Sequence, residues 1–564
     1  MKRTSLLIVI SLLAGSVANV AQTRSAADHK SQLGNVVFPN SGSERVQPYF
    51  IRGVAALHSF WFEEALEAFQ QATKLDPDFM MGYWGEAMSY NHPLWAEQQY
   101  DAGKQAVAKI KNVQSLTDKE RGFLNAVKLL YGEGDKLTRD KAYCSAMEKM
   151  YRDAPDDLEV ASFYALSLLG TVRPEDKGYR RQALAGAIAL EVYRKNPNHP
   201  GAAHYIIHSF DDPEHAILAL PAAYRYAEIA PEAHHARHMP SHIFLQLGMW
   251  PEAARSNESS WATSDEWVRR KGLPISLRDY HSLHWLLYVY CQQGKYTKAA
   301  ELLDVMRTAM ATSKSDDKLR PNYYANSWAN MAAAYIVETG NWQLVDKLLP
   351  RGSGATEAAA DHHASMTAAP AGGQTSTVRQ SQAAQVLPVF VRGLSAAMTG
   401  GPDAQASMAF FRAGGVGNTT LGGASNPARA TSIRLYEIEA TLAASQGNYD
   451  EAIATMKKAA ALEEDMGSPS GPPPLIKPSH ELLGEILLKA GRPKEAFEAF
   501  STSLLRQPNR ARSLIGGARA AAASGNTASA SDLYKKFAAQ WSEADAGLPE
   551  PNEAREFFKQ TASR

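Results

Sequence analysis

Residues 46–77 read VQPYFIRGVAALHSFWFEEALEAFQQATKLDP, and this stretch decides the fold. Apolar residues recur at helical spacing on both sides of Phe60-Trp61, so two amphipathic helices meet there. Numbered from Val46, Gly53 and Ala65 take positions 8 and 20, Phe69 and Ala72 positions 24 and 27, and Pro77 position 32. Small residues at 8 and 20 let two helices approach closely. The aromatic at 24 fills the space between them, and the proline stops the second helix.

The pattern recurs along the chain. Tyr83, Ala87 and Tyr90 keep the phase in the next unit. Gly484, Gly491, Ala496, Phe500 and Pro508 form another near the end, followed by Ala518, Gly525, Ala530 and Tyr534. Tyr436, Ala440, Gly447 and Ala452 mark one more. Pro197 and Pro231 close successive central units, and Gly294 with Ala299 marks a further one. Pro48–Gly53 (PYFIRG) returns as Pro388–Gly393 (PVFVRG), as if the array restarts.

These positions and this spacing resemble the tetratricopeptide repeat, whose period is about 34 residues. The resemblance implies an all-α solenoid of helix-turn-helix units that binds a protein, peptide or small ligand in its concave groove. We expect two arrays, at 45–350 and 386–545. Residues 351–385, rich in Ala, Ser, Thr and Gly without an apolar face, are expected as a flexible linker. Residues 546–564 are expected as a tail. The run 467–474 reads as a lid or a long connection. HYIIHSFDDPEHA (204–216) and HMPSHIFLQLGMW (238–250) are similar to blocks in a group of exported bacterial tetratricopeptide proteins.

The N-terminus predicts export. Lys2 and Arg3 precede the apolar run Leu6–Leu13, and Ser16-Val17-Ala18 offers a cleavage site, so 1–18 reads as a signal peptide and 19–44 as a disordered leader. A soluble periplasmic or extracellular protein with no integral membrane segment in the mature chain is expected. Lys+Arg and Asp+Glu both number 59. That balance argues against nucleic acid as a partner, which needs a basic excess. Cys144 and Cys291 allow one bridge or two buried thiols.

Histidine carries the functional signal: ten of the 16 lie between His199 and His284. His204 and His208 take positions 5 and 9 of one unit, and His238 and His242 the same positions of the next. His235 and His281 take position 2, and His284 position 5. Under the family resemblance, positions 2, 5, 9, 12 and 13 line the groove. Residues i and i+4 share a helix face, so two imidazoles so placed can hold one ion. We therefore expect a divalent metal (Zn, Cu or Fe) on His204, His208, His238, His242, His284 and Asp211. His235, His281, Asp212, Trp84, Met88, His92 and His58 are expected along the ligand groove. Tyr205, Tyr280 and Glu214 are expected as hydrogen-bond partners of the ring N–H groups. His199, His215 and His234 fall outside the groove register.

Two further readings stay open. The histidines can instead contact an anionic or peptide ligand. The chain can also be a metalloenzyme, an oxidoreductase or a hydrolase. The sequence holds no GxGxxG, Walker A, GxSxG, CxxC or HExxH motif, so no catalytic residue is assigned.

Overall fold

The structure is a computed structural model describing residues 32–95, 97–173, 176, 178–312, 323–349, 385–414 and 427–562. The signal peptide, residues 19–31 of the leader and the linker up to 384 lie outside these. Helices dominate the described residues, joined by a two-residue antiparallel pairing of Asn91–His92 with Glu97–Gln98. The chain is an α-solenoid of helical hairpins. No helix among the described residues is long and apolar enough to cross a membrane.

The packing follows the small-residue rule. Helix Gln47–His58 lies on helix Phe62–Leu75, and a Cβ at Gly53 would come within 2.7 Å of the Phe69 ring. The same ring is pressed from the next helix, Met80–Ser89, where a Cβ at Gly85 would stand only 2.2 Å away. Phe500 repeats the arrangement between Gly484 and Gly516, at 2.8 and 2.4 Å. Gly393 does the work of Gly53 in the restarted array, with Ser407 against it.

Hairpin turns show a second rule. Position 15 is a left-handed glycine in several units: Gly248, Gly294, Gly491 and Gly525 all have φ between 65° and 82°. Glycine ends a helix there without a Cβ penalty. In the first unit position 15 is Phe60, at φ 52°. A bulky residue in this region costs on the order of 1 kcal/mol.

The first helices of the three central units begin at Pro200, His234 and Tyr280, the positions the repeat phase predicts. The second helix of the middle unit, Trp250–Lys271, runs 22 residues against 14 in Phe62–Leu75. That extension moves the next unit beyond the 34-residue period.

Three differences from the sequence reading have simple causes. Residues 32–44, expected in a disordered leader, pack onto the array. Leu33, Val36 and Phe38 are buried, and Asn35 N donates to Asn198 O at 2.8 Å. Three apolar anchors repay the ordering of so short a segment. Within the expected tail, Pro549–Ala562 is a helix, held by Ala554 in the core and an Arg519–Glu553 ion pair of 2.6 Å. The two arrays also touch. Trp250 Nε1 donates to Asn509 O at 2.9 Å, and Trp541 Nε1 to Gln292 O at 2.9 Å. Both cysteines are buried free thiols.

Candidate metal centre

The central histidines form two groups. His204, His208 and His235 bring three ring nitrogens within 4.8 Å of one another, and His238, His242 and His281 do the same. One rule builds both: positions 5 and 9 of one unit, plus position 2 of the next. Four residues apart on a helix, positions 5 and 9 face the same way. Position 2 reaches them because the following unit packs alongside.

The outward nitrogens of three rings are fixed by what lies behind them. His204 Nδ1 lies 2.7 Å from His58 O, and a carbonyl only accepts, so Nδ1 carries the hydrogen. His242 Nδ1 donates to the Asp211 carboxylate at 2.7 Å. His238 Nδ1 donates to Asn257 Oδ1 at 2.7 Å, and Asn257 Nδ2, bonded to Ala253 O, fixes that amide. In each neutral ring Nε2 is then a bare lone pair.

His238 Nε2 and His242 Nε2 stand 3.1 Å apart. Two lone pairs at that distance repel unless a cation lies between them. Burial holds His238 well below the usual imidazole range, so His238 itself carries no proton at Nε2. Two nitrogens 3.1 Å apart, at a metal–nitrogen distance of about 2.0–2.1 Å, subtend an angle of about 100°. That angle lies between tetragonal and tetrahedral coordination. His208 Nε2 also faces His204 Nε2 at 3.1 Å, but His208 is free to donate its own proton there. His235 Nε2 is buried without a hydrogen-bond partner. Burial lowers His204 to about 3 and pushes His208 and His235 far down, which keeps these rings in the neutral, ligating form.

Each trio has an aromatic ring in contact with all three of its imidazoles. Phe60, in the strained turn, lies 4.3 Å from His204 and stacks on His208 and His235, both at 5.8 Å. Trp285 lies 4.3 Å from His242, 4.8 Å from His238 and 5.5 Å from His281. The run 467–474 packs over Trp285: a Cβ at Gly471 would meet the indole at 2.5 Å, and Gln246 bridges Asp211 to Pro469 O. His281 is exposed, leaving the second trio an edge toward solvent.

The remaining predicted residues are spread over several environments. Asp211 is behind His242 rather than among the clustered ring nitrogens. His284 lines a separate cavity with Tyr288, Arg434 and Pro472–Pro474. Its unit has Tyr288 at position 9, so no second imidazole joins it. Asp212 accepts from His215 at 2.9 Å and from Glu214 N at 2.9 Å, capping a turn. Trp84 and Met88 are buried, Trp84 among Phe50, Phe69, Phe123 and Phe163. His92 stacks on Phe62 at 4.1 Å. Tyr280 packs on Trp261 and Tyr324.

Tyr205 and His58 form a support instead. His58, His199 and Glu159 are fully buried. Tyr205 OH donates to His58 Nδ1 at 2.8 Å, and His58 Nε2 to Glu159 at 2.8 Å. His199 Nε2 donates to the other Glu159 oxygen at 3.1 Å. Burial opposes the charge on Glu159, but His199 and His58 outweigh it and hold the carboxyl far below its usual range. Every ring nitrogen here has a partner, so this third His/Glu group reads as structure. It anchors the His58 carbonyl that orients His204. Asn257, Phe60 and Trp285 are neighbours of the trios that the sequence reading missed. Phe60 had a signal, an aromatic where other units place glycine; Asn257 had none.

Tetratricopeptide-repeat families match residues 46–79 and, in overlapping stretches, 439–512 and 481–549. Stretches toward both ends of the chain therefore carry these repeats. No curated protein matches the chain. Similar solved structures include the APC/C hetero-tetramer Cut9-Hcn1, at 14% identity over 86% of this chain and 78% of that one, TM-score 0.34. A Rap protein complexed with Competence and Sporulation Factor shows 13% identity over 74% and 100%, TM-score 0.34. Yeast Tom70 shows 11% identity over 92% and 89%, TM-score 0.27.

Proposed function

From a chain built of tetratricopeptide repeats, we propose an exported metal-binding protein whose central groove holds a transition metal on imidazole. One observation carries this reading: two Nε2 lone pairs of His238 and His242 meet at 3.1 Å with both Nδ1 protons committed elsewhere. Ligands of nitrogen type, with no thiolate in either trio, suit Zn, Cu or non-haem Fe. The groove around the metal is the place for a protein, peptide or small ligand. Three imidazoles leave an ion a coordination position open, which is compatible with metalloenzyme chemistry. No reaction is assigned.

Elemental analysis of the purified protein tests the proposal. The expected result is stoichiometric metal that the His204→Ala/His238→Ala double variant loses. Metal-free protein whose melting temperature does not rise with Zn or Cu would overturn it.

A further inference from the structure

His235 and His238 stand one turn apart on the same short helix, His234–His238, yet belong to different trios. The trios are therefore neighbours by construction. Rings of different trios come within 5.7 Å at His208–His242 and 5.9 Å at His235–His238. The register that makes one site has been used twice in succession. A third use fails at once, because His284 is followed by Tyr288 at position 9, so no second imidazole follows on its face.

We propose that the groove holds two copper(II) ions as an interacting pair, one on each trio. The proposal rests on the metal-binding reading above and deepens it. Copper is favoured because each trio offers imidazole nitrogen alone, and copper(II) heads the affinity order of divalent ions for such donors. Carboxylates stand one layer back and offset the doubled charge. Asp211 bonds His242, and Asp279 lies 3.5 Å from His234. With three nitrogens each, both ions keep a position for a small oxygen donor, hydroxide or water. Phe60 and Trp285 exclude bulk solvent on one side of each trio.

The test is titration of metal-stripped full-length protein with copper(II) alone, read by copper content after desalting and by electron paramagnetic resonance. The expected result is two copper ions per chain. Their spectrum at full loading is broadened, with a half-field transition or lost spin intensity. His235→Ala and His281→Ala each hold one copper, with an isolated full-spin spectrum. His281 is exposed and His235 half-buried, and unchanged melting curves of the metal-free variants confirm folding. One copper per wild-type chain overturns the pair and leaves the metal reading standing. So do two coppers whose spectrum is the sum of the two variants' spectra. No retained copper overturns the pair, and the metal reading falls with it only if zinc also fails to raise the melting temperature.

Discussion

Arg510 in the C-terminal array meets Glu338 in the N-terminal one in a buried ion pair of 2.8 Å. Arg510 Nε donates to Glu481 at 2.7 Å and Arg510 Nη1 to Tyr288 OH at 3.0 Å. One guanidinium thus ties three helices, including the one that carries His281 and Trp285. Arg510→Ala leaves Glu338 buried without its cation and Glu481 with Lys477 alone. We expect a loss of about 3–5 kcal/mol by denaturant unfolding, and less from Arg510→Met. A loss below about 1 kcal/mol would show that this junction does not hold the arrays.

Acid stability follows from the same cluster. Burial works against the Glu481 charge, but Arg510 and Lys477 outweigh it and hold its carboxyl far below the usual range. A carboxyl depressed in the fold stabilises above its unfolded pKa, about 4.3, and that contribution fades as pH falls below it. Glu64, opposed by burial but held down by Lys271 and Arg52, has the same sign. Glu437, raised by burial and Glu463, has the opposite sign. The midpoint of unfolding should fall below about pH 4, and Glu481→Gln should lower stability at pH 7 while flattening that acid limb. An acid limb unchanged in the variant would count against this account.

Gly85 and Phe69 define the tolerance of the helix packing. A methyl at 85 forces the ring to move, since the Cβ would lie 2.2 Å from it. Gly85→Ala should cost about 1–3 kcal/mol and Phe69→Ala about 3–5 kcal/mol. The double variant Gly85→Ala/Phe69→Leu should cost less than the sum of Gly85→Ala and Phe69→Leu measured singly, because the smaller side chain vacates the space the methyl needs. Additive costs in thermal melts would mean that the two side chains do not compete.

In the proposed site, Asp211 would act on the metal through its hydrogen bond to His242. Removing its charge while keeping its shape, as Asp211→Asn, weakens the hold on that ring. Metal affinity measured by calorimetry should fall about 10–100-fold while the metal-free melting temperature moves little. Affinity unchanged within twofold would separate Asp211 from the site.

The sequence by itself determined the helical register. Pro197 and Pro231 end units and glycine turns them, so the starts at Pro200 and His234 were legible, and with them the shared face of His204 with His208 and of His238 with His242. Those are local properties, set within one or two helices. Only the tertiary structure decided how the histidines divide. The sequence reading pooled six ligands, whereas position 2 of each following unit completes a trio and His284 stands apart. It also decided that Trp84 is core, that Asn257 orients His238, and that the C-terminal array closes on Glu338. These depend on the length of helix Trp250–Lys271 and on small rotations summed from unit to unit, which no single repeat encodes.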